Sequence, residues 1–190
     1  MKWIHPTWLS GICNGVFIIA EAGINHNGNM DIAKRLVDVA VHSGADAIKF
    51  QTFRTESLLT KDAPKAEYQR RNTGSGESQF EMLKAVELSE EQHLEILKYC
   101  QKRKVVFIST PFDEQSADLL EQMDVPLFKV PSGEITNLPF LEHIARKGRP
   151  MIISTGMSFL EEVKAAVRSS KSAGCSDIAL LHCVSNYPTE

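Results

Sequence analysis

The sequence predicts an α/β fold on parallel strands, specifically a (β/α)8 TIM barrel with only its first six strands in this chain. Three observations predict it: six short apolar runs, helical patterns between them, and a polar or charged tail at the same end of most runs. The runs are VFIIAEAGINHNG from Val16, AIKFQTF from Ala47, VVFISTPFD from Val105, LFKVPSGE from Leu127, MIISTGMS from Met151 and IALLHCVSNYP from Ile178. Parallel strands covered on both faces read as continuous apolar stretches. Polar residues at the same end of successive strands mean that this end opens on a shared site, the C-terminal mouth of a barrel. Alternating strands and helices give right-handed βαβ units and a parallel sheet.

Residues 1–14, MKWIHPTWLSGICN, precede the first strand without sharing its pattern. They lack the continuous apolar segment and small-residue cleavage site of a signal peptide, so a disordered extension is expected there and the barrel portion over 15–190. Asp31 to Ser43 reads as a helix with Ile32, Leu36, Val39 and Ala40 on one stripe. After the second strand the regular spacing breaks. Residues 52–86 are polar and rich in Gly, Ser and charge, as expected of a lid at the mouth whose Asn72-Thr73-Gly74 segment approaches the sugar, the alternative being a disordered insert. Ser89 with Gln92, and Ser158 with Glu161, have capping-box spacing. Asp113 can cap a helix carrying Ala117, Leu120 and Met123, and Asn137 one carrying Leu141 and Ile144. Gly44, Gly148 and Gly174 stand where a left-handed helix stop is expected. A closed barrel needs all eight strands, so the first and sixth strands are expected to be unpaired apolar edges of a truncated barrel.

With 190 residues, 43% hydrophobic and 24% charged, the chain can bury one core, as one domain or part of one. Its net charge of −3, without a basic run interleaved with aromatics, argues against a nucleic-acid partner. No window of about 18 apolar residues suits a membrane span. Cysteines at 13, 100, 175 and 183 form no CxxC pair, which points to reduced thiols in a cytoplasmic protein, with Cys100 and Cys183 as core filler.

Lys49 and Gln51 are two apart on a strand and share one face, which Phe50 does not. A lysine pointing into a barrel is costly unless an anion meets it, either a substrate or a carboxylate such as Glu21 or Glu134. Lys129 repeats the pattern two strands later, and together the two lysines suggest a small polyanionic substrate such as a phosphorylated carboxylate. Thr110, Ser132, Ser154 and Ser185 end four successive strands, as phosphate donors or merely as helix caps. Glu21 and Glu134 are the mouth carboxylates, suited to acid/base work, to a metal-bound water, or to ion pairing. His26 lies after the first strand and His182 within the sixth, and neither HxH nor HExxH occurs.

The motifs FIIAEAGINHNG, AIKFQTF, YQRRNTGSGESQFEML, FISTPFD, FKVPSGEITNLP, ISTGM and LLHCVSNYPT together resemble the N-terminal part of the sialic acid synthase family. That family makes N-acetylneuraminate and its relatives legionaminate and pseudaminate. The resemblance implies condensation of phosphoenolpyruvate with an N-acylated, mannosamine-type amino sugar. It also implies a TIM barrel joined to a small antifreeze-like domain in a domain-swapped homodimer, and a divalent metal, Mn2+ or Mg2+. By matching motif, Lys49, Thr110 and Lys129 bind the phosphoenolpyruvate carboxylate and neighbouring charge, and Ser132, Ser154 and Ser185 its phosphate. Gln51 and Tyr187 contact the amino sugar or the metal-linked water, Asn72 contacts the sugar, and Glu21 and Glu134 orient water and the developing hydroxyl. The metal's histidine ligands are expected beyond residue 190, so none is assigned in this chain. Where some members carry Asn at the phosphate position of the sixth strand, this chain has Ser185 followed by Asn186. Two rival readings are a 3-deoxy-sugar acid synthase using a phosphorylated aldose and a truncated, non-catalytic paralogue. The first needs a second phosphate site, and only Arg70 and Arg71 offer an Arg cluster.

Overall fold

All six apolar runs are strands in the computed structural model, which describes residues 16–61 and 78–185. The expectations for residues 1–14, for the Asn72-Thr73-Gly74 segment and for Tyr187 lie outside the described residues. The element order is β1 (Ile19–Gly23), α1 (Met30–His42), β2 (Ala47–Thr52), α2 (Thr55–Leu58), α3 (Gln79–Val86), α4 (Glu90–Arg103), β3 (Val106–Pro111), α5 (Glu114–Gln122), β4 (Phe128–Val130), α6 (Leu138–Ala145), β5 (Met151–Ser154), α7 (Leu160–Ser172) and β6 (Ile178–Leu181). A 3-10 turn, Ser132–Glu134, follows β4. Strand pairing is parallel throughout, in the orders β1-β2-β3 and β4-β5-β6. β3 lies alongside β4, which brings the two ladders together.

Two separate apolar clusters show how the strands are used. The larger joins Ile48, Phe50, Phe107, Phe128, Met151 and Ile153 of the strands to the buried faces of α1, α4, α5, α6 and α7. The smaller gathers Ala47, Ile108, Leu127 and Ile152, with Ile19 and Ala179 against them, on the opposite strand face. All the packing helices lie on one face, and residues of six successive strand regions meet on the other. The strands therefore curl around that second cluster. Among the described residues β1 and β6 are the outer strands, and Val16, Ile18, Leu180 and Leu181 beside or on them are exposed.

Most helix starts follow the expected chemistry. The Ser89 side chain takes the Gln92 N–H while the Gln92 side chain accepts from Ser89 N–H. Asp113 accepts from Ser116 N–H and Asn137 from Phe140 N–H, and Ala117, Leu120, Met123, Leu141 and Ile144 are buried below them. Gly44, Gly148 and Gly174 all take positive φ.

Several expectations are corrected. On α1 the buried residues are Ala33, Val37 and Ala40, with Leu36 partly buried beside them, while Val39 is 61% exposed: the buried stripe is turned one position from the expected one. The capping box expected at α7 does not form: the N-cap is Phe159, which has no side-chain acceptor, and only its N–H donates to Glu162 at 2.7 Å, while the Ser158 hydroxyl turns back to the Gly156 carbonyl. The described parts of 52–86 are not structureless. They form α2 and α3, the latter started by a Ser78–Glu81 capping box. Cys100 is buried core as expected, but Cys183 is only half-buried, beyond the end of β6. His182 also follows β6 rather than lying within it.

Gly28 shows how tightly the loop after β1 is held. Its φ is +71°, and a Cβ there would sit 2.5 Å from the carbonyl oxygen of Ala85 at the end of α3. Backbone cannot swing aside as a side chain can. Gly28→Ala is expected to destabilise the full-length protein by about 2 kcal/mol or more, from left-handed strain plus the clash. Chemical denaturation measures this, and an unchanged midpoint would show that the loop does not pack on α3.

Candidate anion-binding site at the strand ends

Period-two alternation sends Glu21, Lys49, Gln51, Thr110, Lys129 and Ser154 to the face that the helices do not cover. Register then sets who meets whom. Glu21 is opposite Lys49 and Gln51 opposite Thr110. Lys49 and Glu21 form an ion pair, with Lys49 largely buried and Glu21 half exposed. Of the alternatives open for Lys49, pairing with Glu21 is the one present in this structure. The Glu21 and Gln51 side chains both approach Gly23, 3.2 Å and 3.7 Å from where a Cβ would be.

Lys129 has no carboxylate partner in ion-pair contact among the described residues. It is 5% exposed, and its Nζ donates to the Val130 carbonyl at 2.7 Å. Burial, and then the neighbouring Lys49 charge, push its pKa down to about 8. Thr110 is 2% exposed, and its Oγ1 has no hydrogen-bond partner among the described residues. A buried cation without a counter-ion and a buried hydroxyl without a partner both fit a bound anion.

A second group of donors closes around Gly156, just beyond β5. Gly156 N–H donates to Ser132 Oγ at 3.0 Å. A Cβ at Gly156 would meet Ser132 Oγ at 2.9 Å and Ser185 Oγ at 2.4 Å, so both hydroxyls crowd the space that this glycine leaves open. The tails of β4, β5 and β6 thus converge on one spot, with Ser154 buried at the end of β5. The sequence reading found the three serines but not Gly156. The signal was present in the Gly of ISTGM, which follows a strand end directly.

Glu134 stands in the turn after β4 and accepts from Asn137 Nδ2 at 2.8 Å, so it belongs to the helix start as well as to the mouth. His26 is fully buried, with its Nδ1 accepting from Gly28 N–H. It packs against Phe50 on the helix-covered side, away from the lysines. Among the described residues no three His, Cys, Asp or Glu side chains group to hold a metal ion. Glu21 is committed to Lys49 and Glu134 to Asn137, so the described residues do not themselves fit a divalent cation.

Parallel strands with lysines and strand-end hydroxyls gathered on one uncovered face define an α/β protein whose candidate site lies at the strand ends. The chain belongs to the NeuB family, whose sequence model matches residues 36–190. It is 52% identical to the N,N'-diacetyllegionaminic acid synthase of Legionella pneumophila subsp. pneumophila, over 97% of this chain and 52% of that protein. It is 45% identical to the synthase of the same name from Campylobacter jejuni, over 90% of this chain and 52% of that one. The chain therefore spans about half the length of the curated relatives it matches. The crystal structure of N-acetylneuraminic acid (sialic acid) synthetase from Leptospira borgpetersenii in complex with citrate is similar, with a TM-score of 0.79 and 33% identity. The likeness covers 93% of this chain and 57% of that one. No helix among the described residues is long and apolar enough to cross a membrane.

Proposed function

We propose that this chain supplies the first six strands of a (β/α)8 barrel in a longer, cytoplasmic protein that works as a domain-swapped homodimer. The proposed reaction condenses phosphoenolpyruvate with an N-acylated, mannosamine-type amino sugar, giving a nonulosonic acid and phosphate. The observation that carries it is the pair of donor groups at the strand ends: Lys49, Lys129 and Thr110 on one side, and Ser132, Gly156 and Ser185 on the other. Phosphoenolpyruvate likewise carries two anionic groups, a carboxylate and a phosphate.

In the reaction, C3 of phosphoenolpyruvate bonds to the aldehyde carbon of the open-chain sugar, whose oxygen takes a proton. Water adds at C2, and phosphate leaves with the C2–O bond pair. Lys49 and Lys129 hold the carboxylate while C2 becomes cationic, and Thr110 donates its buried hydroxyl to the same group. Ser132, Ser154 and Ser185 hold the phosphate. Preorganised donors in a dry site contribute several kcal/mol each to such charge development. Binding the carboxylate requires Lys49 to exchange Glu21 for the substrate, which frees Glu21 to orient the attacking water. Glu134 orients the developing hydroxyl. Gln51 contacts the sugar, with Asn72 and Tyr187 from outside the described residues. A divalent metal, Mn2+ or Mg2+, supplies aldehyde polarisation when bound, and the proposal places its ligands outside the described residues.

The test is phosphate release by the full-length protein. It should require phosphoenolpyruvate, an N-acylated mannosamine-type sugar and a divalent metal together. Release with erythrose 4-phosphate or arabinose 5-phosphate, and none with the amino sugar, would overturn the reading in favour of a 3-deoxy-sugar acid synthase. Binding of phosphoenolpyruvate without turnover would favour the non-catalytic paralogue.

A further inference from the structure

We propose that Ser109, Thr52 and His93 form a buried positioning relay behind the substrate site, setting the strand ends that present Gln51 and Thr110; this rests on the substrate reading above. Ser109 Oγ lies 2.7 Å from Thr52 Oγ1, Thr52 Oγ1 lies 3.0 Å from His93 Nε2, and His93 Nδ1 lies 2.9 Å from the Ser89 carbonyl. None of the three residues is more than 2% exposed.

With the imidazole neutral, one set of proton positions satisfies these three contacts. A carbonyl can only accept, so Nδ1 carries the imidazole proton and donates it to Ser89. The neutral ring then has a bare Nε2, which accepts from the Thr52 hydroxyl. The Thr52 oxygen in turn accepts from Ser109. Burial lowers the His93 pKa, which keeps the ring neutral and the chain in this one direction.

Its place in the fold ties it to the site. Thr52 follows Gln51, Ser109 precedes Thr110, and Gln51 is the register partner of Thr110. Alternation puts the relay on the helix-covered face, immediately behind two donors on the substrate face. His93 is in the first turn of α4, so the relay ties the ends of β2 and β3 to that helix. A second tie runs parallel to it: Thr55 donates from its N–H and hydroxyl to Glu87 at 2.9 Å and 2.6 Å, just ahead of α4. Apolar residues of the same shape would fill this space at little cost in stability, whereas three linked polar groups fix a single arrangement. Position, more than stability, is what the relay secures.

The experiment uses the full-length protein with steady-state kinetics and melting temperature side by side. Ser109→Ala removes only the terminal donor and leaves Thr52 donating to His93. It should raise the phosphoenolpyruvate KM about fivefold with little change in melting. Thr52→Val breaks the chain in the middle and should raise KM for both substrates about tenfold, since Gln51 and Thr110 both lose their support. Thr52→Ser, which keeps the hydroxyl, should stay within about twofold of the wild type. Wild-type KM values in Thr52→Val, or equal damage from Thr52→Ser and Thr52→Val, would overturn the relay while the functional reading stands. A wild-type protein that neither binds nor turns over phosphoenolpyruvate would overturn that reading first, and the relay's role with it.

Discussion

Replacing Gly156 by alanine is expected to raise the phosphoenolpyruvate KM of the full-length protein about a hundredfold, with no more than a small loss of melting temperature. The new methyl carbon would lie 2.4 Å from Ser185 Oγ and 2.9 Å from Ser132 Oγ, so both hydroxyls must rotate away or their strand ends must separate. Side-chain hydroxyls move cheaply, and Ser185 is exposed. The fold therefore absorbs the change, but the donors no longer aim at one spot. Hydrogen bonds to a charged group are worth about 1.5–3 kcal/mol each, and losing one or two of them amounts to about a hundredfold in binding. The amino-sugar KM should rise much less, because Gln51 lies on a strand of the other ladder and only Tyr187, two residues after Ser185, follows the displaced tail. Equal loss for both substrates, or a large fall in melting with normal kinetics, would make Gly156 a packing glycine and remove the phosphate assignment from Ser132 and Ser185.

Where sequence reading succeeded and where it stopped follow from the range of the forces involved. Strands and most caps are local. A β-branched run followed by a polar tail, or Ser89 three residues before Gln92, carries its own physics, and β1 to β6 and the start of α4 appear as read. The inward direction of Lys49 and Gln51 was equally legible, because alternation along a strand needs no neighbour. Partner choice is not local. That Glu21, and not Glu134, meets Lys49 depends on β1–β2 register, which the sequence left open. Val39 is exposed because periodicity fixes the spacing of a helix stripe but not its phase, and the buried stripe of α1 runs through Ala33, Val37 and Ala40. The Ser109–Thr52–His93 chain had no signal at all, since its members are 57 and 41 residues apart in the pairs that bond.

The second large effect concerns Lys129. Its pKa is about 8 in the folded protein against an ordinary 10.5, with burial as the main cause and Lys49 second. The sign follows from proton counting. Between these values the unfolded chain holds a proton that the folded chain has lost, so this group makes stability rise with pH from about 8 towards 10.5. Below pH 8 the fold bears the full burden of the buried ammonium, roughly 3 kcal/mol at about 1.4 kcal/mol per pH unit. Lys129→Met is therefore expected to melt higher at pH 7, and to lose the stability gain between pH 8 and 10.5. Binding should move the opposite way. A carboxylate beside Lys129 favours the ammonium, so phosphoenolpyruvate raises this pKa and its binding takes up a proton at pH 9. Calorimetry in buffers of different ionisation heat reads that proton directly, and affinity should weaken up to about tenfold per pH unit above 8. In Lys129→Met the proton uptake should vanish and the phosphoenolpyruvate KM should rise by about a hundredfold or more. A methionine variant that melts lower yet binds normally would show that Lys129 serves the fold. In that case the anion rests on Lys49 alone, released from Glu21.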